Sequence, residues 1–355
     1  MRVELAALVL ACSVPVLAIQ ASLASRIDAA VERVKGHVPG LSIAVVVDGR
    51  VAHAGGYGSM SPTEEKPVTA DTQYRLASLS KPFTAVAVLQ LVQQGQVDLD
   101  RPAREYCPAL SPLEAPTVRH FLLHQSGVRH TSDAEDENIH VAPPSLSASL
   151  AGVAKEQLKF SPGQKTLYTS WGYTVLGCVI ESVSKQTYAA FVQEHVLRPA
   201  GMNDTAFDAP EYSDARFSQG FRMRGGRLQP SVVVDTRFKM PSSGIISTVN
   251  DLSRFAIALF DRVLLPQTQL QEMLSTRRAP GDERPMFTAG WTIGRAEPGA
   301  ARFNYNGSME GTTAYLVIVP ERRTAVALLT NRERFVPEVT PVMADVLQAA
   351  LEHPR

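Results

Sequence analysis

The chain has 355 residues, 45% of them hydrophobic and 20% charged, with 35 Lys+Arg balanced by 35 Asp+Glu. The apolar fraction excludes a disordered chain, and the zero balance excludes a general field for nucleic acid or an anionic membrane surface. The length suits one large domain or two intermediate ones, with a sizeable core in either case.

The N-terminus carries Arg2, an apolar run over residues 5–17 and small residues at Ala18, Ala21 and Ala24. A positive start, a short apolar stretch and a small-residue end predict a secretory signal over residues 1–24, with a buried helix as the alternative. The run is too short to cross a bilayer comfortably, so no membrane span is expected. Val9-Leu10-Ala11-Cys12 makes a lipid anchor at Cys12 the lesser alternative. Ile27, Ala30, Val31 and Val34 mark one face of a helix over residues 25–35, ended by Gly36 and Pro39-Gly40. Residues 41–47, the pair Asp48-Gly49 and residues 50–55 predict a hairpin.

Helical patterns dominate residues 78–259. Strands return at 288–294, 302–306, 312–319 and 324–330, with Pro320-Glu321-Arg322-Arg323 as the last turn. A helix over 337–352 closes the chain. Strands at both ends with helices between them predict an α/β (α+β) fold. It has one antiparallel sheet from both chain ends, flanked by helices, with an inserted all-helical domain. The mature domain is then 25–355, with 25–75 and 285–355 forming the sheet part and 76–284 the helical part. The acidic cluster at residues 133–137 reads as a solvated loop.

Cys107 and Cys178 stand far apart in no metal-ligand spacing. They can pair only if their Cα atoms approach closely, which sequence does not reveal. Two buried small apolar residues are the expectation.

Ser78-Leu79-Ser80-Lys81 is an S-x-x-K, a pattern short enough to arise by chance. A second copy stands at Ser182-Val183-Ser184-Lys185, where it reads as a polar helix end. Ser78 instead precedes an apolar, periodic run over 84–92 that Gly95 stops. Pro82 belongs in a first helical turn, because proline lacks the N–H that later positions need. Ser78 therefore sits at or next to a helix start, where a backbone N–H is free to bind a developing oxyanion. Lys81 returns to the same face one turn later and can activate the serine. An N-cap serine beside a surface lysine is the structural alternative.

The run Arg75-Leu76-Ala77-Ser78-Leu79-Ser80-Lys81-Pro82-Phe83-Thr84 and the following residues 91–100 resemble the opening of the serine β-lactamase-related family. That family includes class C β-lactamases, D,D-carboxypeptidases and carboxylesterases. Residues 117–127 and 242–255 resemble later family segments, so the resemblance spans residues 40–331. Residues 126–130 and 167–173 look most like its mitochondrial serine β-lactamase-like branch and bacterial relatives.

The resemblance implies that Tyr168 shares the Ser78 proton with Lys81 and returns it to the leaving group. A core aromatic is the structural alternative for Tyr168. Ser170 stands where the family often has Asn, and a hydroxyl replaces only part of an amide's hydrogen bonding. Tyr305-Asn306-Gly307 stands where the family has Lys-Thr-Gly or His-x-Gly on the strand lining the site. Ser308 would supply the second oxyanion N–H beside that of Ser78. Ser170, Tyr305, Asn306 and Gly307 are the expected substrate contacts. Tyr305 removes a cation that could hold a substrate carboxylate, so weak or absent β-lactamase activity is expected.

His120 and His124 are four apart, which invites a zinc reading. No Glu follows His120 and no third ligand has suitable spacing, so structural histidines beside a turn are expected, with no metal and no organic cofactor. No G-x-S-x-G elbow appears, which argues against an α/β-hydrolase. The expected protein is a secreted or periplasmic serine hydrolase of ester or small amide and peptide substrates. A β-lactamase or D-alanyl-D-alanine carboxypeptidase is the enzymatic alternative. A catalytically weak assembly or binding protein, with self-association, is the alternative of another class. Pocket walls are expected from residues 131–144 and 207–237, whose chemistry the sequence does not disclose.

Overall fold

The computed structural model describes residues 14–61, 65–110, 116–132, 144–232, 234–284, 286–295 and 300–353. Arg2, Cys12 and the acidic cluster at 133–137 lie outside the described residues. A first helix α1 (Val14–Glu32) leads into the hairpin β1 (Gly40–Val47) and β2 (Arg50–Gly58). Strand β3 (Tyr74–Arg75) precedes the turn that carries Ser78, and α2 (Lys81–Gln93) follows it. The middle of the chain supplies α3 (Val118–Leu122), α4 (Leu146–Ser149), α5 (Ser170–Ser184), α6 (Tyr188–Val192) and strand β4 (Ala206–Phe207). A hairpin β5 (Phe221–Arg224) and β6 (Arg227–Pro230) comes next, then α7 (Met240–Ser243), β7 (Ile245–Ser247), α8 (Val249–Phe260) and α9 (Gln267–Leu274). The last third is β8 (Phe287–Thr288), β9 (Trp291–Arg295), β10 (Ala301–Met309), β11 (Thr312–Val319), β12 (Thr324–Thr330) and α10 (Val336–Glu352).

The main sheet has seven strands in the order β2-β1-β12-β11-β10-β9-β8, so strands from both chain ends meet where β1 pairs antiparallel with β12. The mixed α/β fold with an antiparallel sheet and flanking helices is the one the sequence predicts. Side chains alternate across each strand. Ile43, Val45, Val317, Val326 and Leu328 face α1 and α10, while Ala44, Val46, Leu316, Ala327 and Leu329 join the core around α2 and α8. Both faces are covered, which is why β11 and β12 are apolar throughout and not alternating. Helix α2 is buried on nearly all sides, and Phe83 stacks on Phe255 of α8 with ring centroids 4.2 Å apart. An all-round apolar helix of this kind belongs at the centre of a core.

Four expectations change. Helix α1 begins eleven residues before the predicted start at Ser25 and ends at Glu32, although Ile27, Ala30 and Val31 are buried as the face requires. The segment predicted as helical contains β4, β5, β6 and β7, each two to four residues long and too short to leave a periodic signature. Cys107 and Cys178 form a disulfide, with Cα atoms 5.7 Å apart, and so are not two free apolar residues. The disulfide joins the turn after residues 103–105 to the middle of α5, an approach made by folding and invisible in spacing. The predicted strand at 288–294 is broken into β8 and β9 at Gly290, whose φ of 82° turns the chain.

Candidate active site

Ser78 lies in a single tight turn over Ala77–Ser80, immediately before α2 begins at Lys81. Pro82 occupies the second helical position, where its missing N–H costs nothing. Ala77 has a φ of 49°, a left-handed conformation that costs a residue with a side chain about 1–2 kcal/mol. The surroundings hold it there. The Leu76 N–H bonds the Ile245 carbonyl of β7 at 2.7 Å, and the Thr312 hydroxyl of β11 bonds the Arg75 carbonyl at 2.8 Å. Clamped from both sides, the turn presents the half-exposed Ser78 to a pocket of about 440 Å³.

Gly307 explains how β10 reaches the same turn. A Cβ there would fall 2.0 Å from the Leu76 carbonyl oxygen and 2.9 Å from the Ser78 nitrogen. Only glycine lets the strand backbone pass so close. The next residue, Ser308, lines the pocket with Ser78, and its hydroxyl accepts the Arg334 N–H at 2.9 Å.

Three side chains meet at the pocket floor. The Ser78 and Tyr168 hydroxyls are 2.6 Å apart. The Lys81 ammonium donates to Ser78 Oγ at 3.1 Å, to Tyr168 Oη at 2.6 Å and to Ser170 Oγ at 3.4 Å. The Ser242 carbonyl is a fourth acceptor within reach at 3.1 Å, so the three N–H groups are shared among four oxygens, and Lys81 has no solvent exposure. Burial pushes the Tyr168 phenol up, but the Lys81 charge and the bonds from Lys81, Ser78 and Ser170 outweigh it and hold the phenol below its usual range.

Thr169 caps α5, its hydroxyl accepting the Gly172 N–H at 3.1 Å, and so fixes Tyr168 just outside the helix. Two histidines pin the neighbouring backbone. The Thr169 N–H donates to His124 Nδ1 at 3.1 Å and the Ser170 N–H to His130 Nδ1 at 3.0 Å. Their rings lie 4.7 and 4.9 Å from the Tyr168 ring. His120 faces elsewhere: its Nδ1 accepts the Thr117 N–H at 3.2 Å in a capping box for α3. The two histidines of the zinc reading thus serve different backbone groups.

Of the expected site residues, Ser78, Lys81, Tyr168, Ser170, Gly307 and Ser308 come together. Of these only Ser78, Ser170 and Ser308 line the pocket itself, and Lys81, Tyr168 and Gly307 lie behind them, while Tyr305 and Asn306 stand further along β10. Tyr305 is 3% exposed and sits behind Tyr168, with its hydroxyl 3.4 Å from His124 Nε2. Asn306 pairs with Tyr315, whose side chain packs on the α1 and α10 side, so strand alternation turns Asn306 to the opposite face from the site. The second S-x-x-K ends α5, where Lys185 donates to the Ser182 carbonyl at 2.6 Å on the surface.

Sequence reasoning missed the Ser242 carbonyl, Ser243, His130 and the charged rim. Arg222 and Arg224 of the β5–β6 hairpin, with Lys239 and Arg334, line the mouth against Glu310 and Glu333. The hairpin falls within the expected wall segment 207–237, but the pairing that turns its arginines inward is not a sequence signal. His124 and His130 flank a Ser126-Gly127 turn, and that symmetry was the available clue.

A hydroxyl, an amine and a phenol within hydrogen-bond reach on a pocket floor, beside two converging backbone segments, define an acyl-transfer class of site. Residues 23–350 match the Beta-lactamase family model, and the chain belongs to that family. It is 24% identical over 314 residues to Protein flp of Staphylococcus aureus (strain MW2), covering 86% of this chain. The chain spans 62% of that relative's length. Among solved structures, the octameric penicillin-binding protein homologue from Pyrococcus abyssi is 27% identical with a TM-score of 0.73, over 89% of this chain and 73% of that one. EstCE1, a hydrolase with promiscuous acyltransferase activity, shares the fold at a TM-score of 0.79 and 19% identity, over 94% of this chain and 99% of that one. No helix among the described residues is long and apolar enough to cross a membrane.

Proposed function

We propose that the protein hydrolyses esters, small amides or peptides through an acyl-enzyme on Ser78. The observation that carries this reading is the triangle of Ser78, Lys81 and Tyr168, with contacts of 2.6, 3.1 and 2.6 Å. Tyr168 oxygen takes the Ser78 proton while Oγ attacks the substrate carbonyl carbon. The N–H groups of Ser78 and Ser308 hold the oxyanion. Tyr168 passes the proton to the leaving group as the carbonyl–leaving-group bond breaks, and Lys81 keeps the phenol oxygen charged between transfers. A water, deprotonated by Tyr168, then attacks the acyl carbon and Ser78 recovers its proton. No step calls for a metal or an organic cofactor.

Intact mass after incubation with a fluorophosphonate tests this. A single adduct that vanishes in Ser78→Ala is expected. No adduct on folded protein would shift the reading to a binding or assembly protein on the same fold. For that class, self-association is the property to measure, by light scattering.

A second enzymatic reading has its own observation. The basic groups at the mouth can hold a substrate carboxylate although position 305 is a phenol. Under the first reading, nitrocefin turns over weakly beside simple esters. Under the second, a β-lactamase or D,D-carboxypeptidase, it turns over efficiently and arginine substitutions at the mouth raise its KM. Export to the periplasm or medium is proposed from the N-terminal apolar run and is supported by the disulfide, which needs an oxidising compartment. Cell fractionation and the mass of the recovered protein test it.

A further inference from the structure

Arg222 stands on the β5–β6 hairpin, one residue after the fully buried Phe221. The Phe221 N–H donates to the Asn331 carbonyl at 2.8 Å, and the Phe221 carbonyl accepts the Glu333 N–H at 3.0 Å. The Glu333 carboxylate in turn accepts the Ser231 hydroxyl at 2.8 Å and the Gly311 N–H at 3.0 Å. The base of the hairpin is therefore stapled to the turns that follow β10 and β12, and Arg222 lines the pocket from a fixed position. Its Nε is buried and has no hydrogen-bond partner among the described residues. Arg75, Arg119 and Arg129, also half-buried, each hold a carboxylate. A buried cationic donor without an acceptor is costly, and an anion brought by a ligand supplies what is missing.

Strand β10 shows which end of a substrate brings that anion. At Tyr305 the strand lies beside His124, whose ring is 4.7 Å from that of Tyr168. At Gly307 it passes against the backbone of the Ser78 turn, and beyond its end Gly311 meets Gly220 at the hairpin base. Tyr168 and the hairpin thus lie on opposite sides of Ser78 along the strand. Tyr168 returns the proton to the leaving group, so the leaving group takes the Tyr168 side and the acyl group the hairpin side. We propose that the substrates are esters or amides whose acyl chain ends in a carboxylate, held by Arg222 together with Arg224; this rests on the roles proposed for Ser78 and Tyr168. The methylenes between lie against Met223, Val232 and Met309, apolar side chains that line the mouth. From Gly307 to Met309 is two strand steps, about 7 Å, which is near the reach of an adipoyl chain. Ser78 Oγ bonds the carbonyl carbon as its bond to the leaving group breaks, Tyr168 protonates the leaving alcohol or amine, and water releases the dicarboxylic acid. Among the described lining residues the cations Arg222, Arg224, Lys239 and Arg334 outnumber Glu310 and Glu333, and Glu333 is taken up by the hairpin staple. A guanidinium fork matches a carboxylate in geometry as well as charge. β-Lactams and D-alanyl peptides carry their carboxylate on the leaving side, so this substrate class differs from theirs.

The test compares three esters on the full chain. One is the para-nitrophenyl monoester of adipic acid, and the second is the same ester with its free carboxyl methylated. The third is the hexanoyl ester of para-hydroxybenzoate, which carries its carboxylate on the leaving group. The parent should prefer the free carboxyl over the methylated one by about tenfold in kcat/KM, mainly through KM. Arg222→Gln and high salt should each remove most of that preference. Arg222→Lys keeps the charge without the fork and should retain part of it. Arg224→Gln should also lower the preference, and it serves if Arg222→Gln does not fold. No preference in the parent, or one that Arg222→Gln leaves intact at the parent's Tm, would overturn the inference. So would a loss confined to the hydroxybenzoate ester, which would put the arginines on the leaving-group side. If no ester turns over and no fluorophosphonate adduct forms, the hydrolase reading fails instead. Calorimetry with adipate then decides the anion site alone: weaker binding to Arg222→Gln than to the parent supports it, and equal or absent binding overturns it.

Discussion

Lys81 is fully buried, and its ammonium is held by two hydroxyls, a phenol and a carbonyl. A buried ammonium costs desolvation energy that its removal returns, while the Ser242 carbonyl loses its donor, and the two effects oppose each other. The same removal strips the Tyr168 oxygen of its charged donor. Lys81→Met should therefore lower kcat/KM by about 10³-fold, the size general acid–base catalysis carries, with Tm little changed. A large fall in Tm with the same activity loss would assign Lys81 a structural role. Gly307 belongs at this scale too. A Cβ at 307 meets backbone atoms, which cannot move aside cheaply. Gly307→Ala should push β10 off the Ser78 turn and cut kcat about 10²-fold, since a small misplacement of an oxyanion donor costs that much. Gly36→Ala, with open space around its Cβ, is the control and should be silent. Equal effects from both substitutions would count against the close approach. Ser78, Lys81 and Tyr168 were legible because chemistry fixes their residue types. Tyr305 and Asn306 are neighbours on β10 and so take opposite faces, Tyr305 behind Tyr168 and Asn306 away from the site, a distinction that strand register decides and sequence does not display.

At the scale of elements, α5 links the site to the disulfide. Its N-terminus fixes Tyr168 through the Thr169 cap, and Cys178 in its middle ties it to Cys107 across 71 residues. A link closing a loop of that length contributes about 2–4 kcal/mol, mostly by restricting the unfolded chain. Reduction, or Cys178→Ser with Cys107→Ser, should lower Tm by several degrees. It should reduce activity only as far as α5 loosens its first turn. Thermal melts with and without reductant decide this, and coincident curves would show that the disulfide contributes nothing. The long strands and α10 were legible because their apolar runs exceed any chance pattern. The β5–β6 hairpin was not, because its residues Arg222, Met223, Arg224 and Leu228 follow no apolar alternation. It forms part of the pocket mouth, and it is held by pairing that only the folded chain supplies.

For the whole molecule, the sheet assembled from both chain ends pins the helical insert against its inner face, and the site lies along that seam. The cost is a set of histidines that folding buries without charge. His124 is pushed well below its ordinary value of 6.5 by burial and by the Lys81 and His130 charges, and burial lowers His53 and His120 as well. Above pH 6.5 the folded and unfolded chains hold these groups in the same neutral state, and stability is complete. As pH falls below 6.5 the unfolded chain takes up protons that the folded chain refuses, so stability is lost. His124 alone should contribute a slope approaching 1.4 kcal/mol per pH unit, since about 1.4 kcal/mol corresponds to one unit of pKa shift. His53 and His120, only half-buried, add less because solvent screens their charge. His124→Gln keeps an acceptor for the Thr169 N–H and a donor toward Tyr305 but does not titrate. Urea midpoints at pH 7.5, 6.5 and 5.5 should therefore fall more steeply in the parent than in the variant. Parallel curves would mean that His124 takes up its proton in the folded protein as readily as in the unfolded chain.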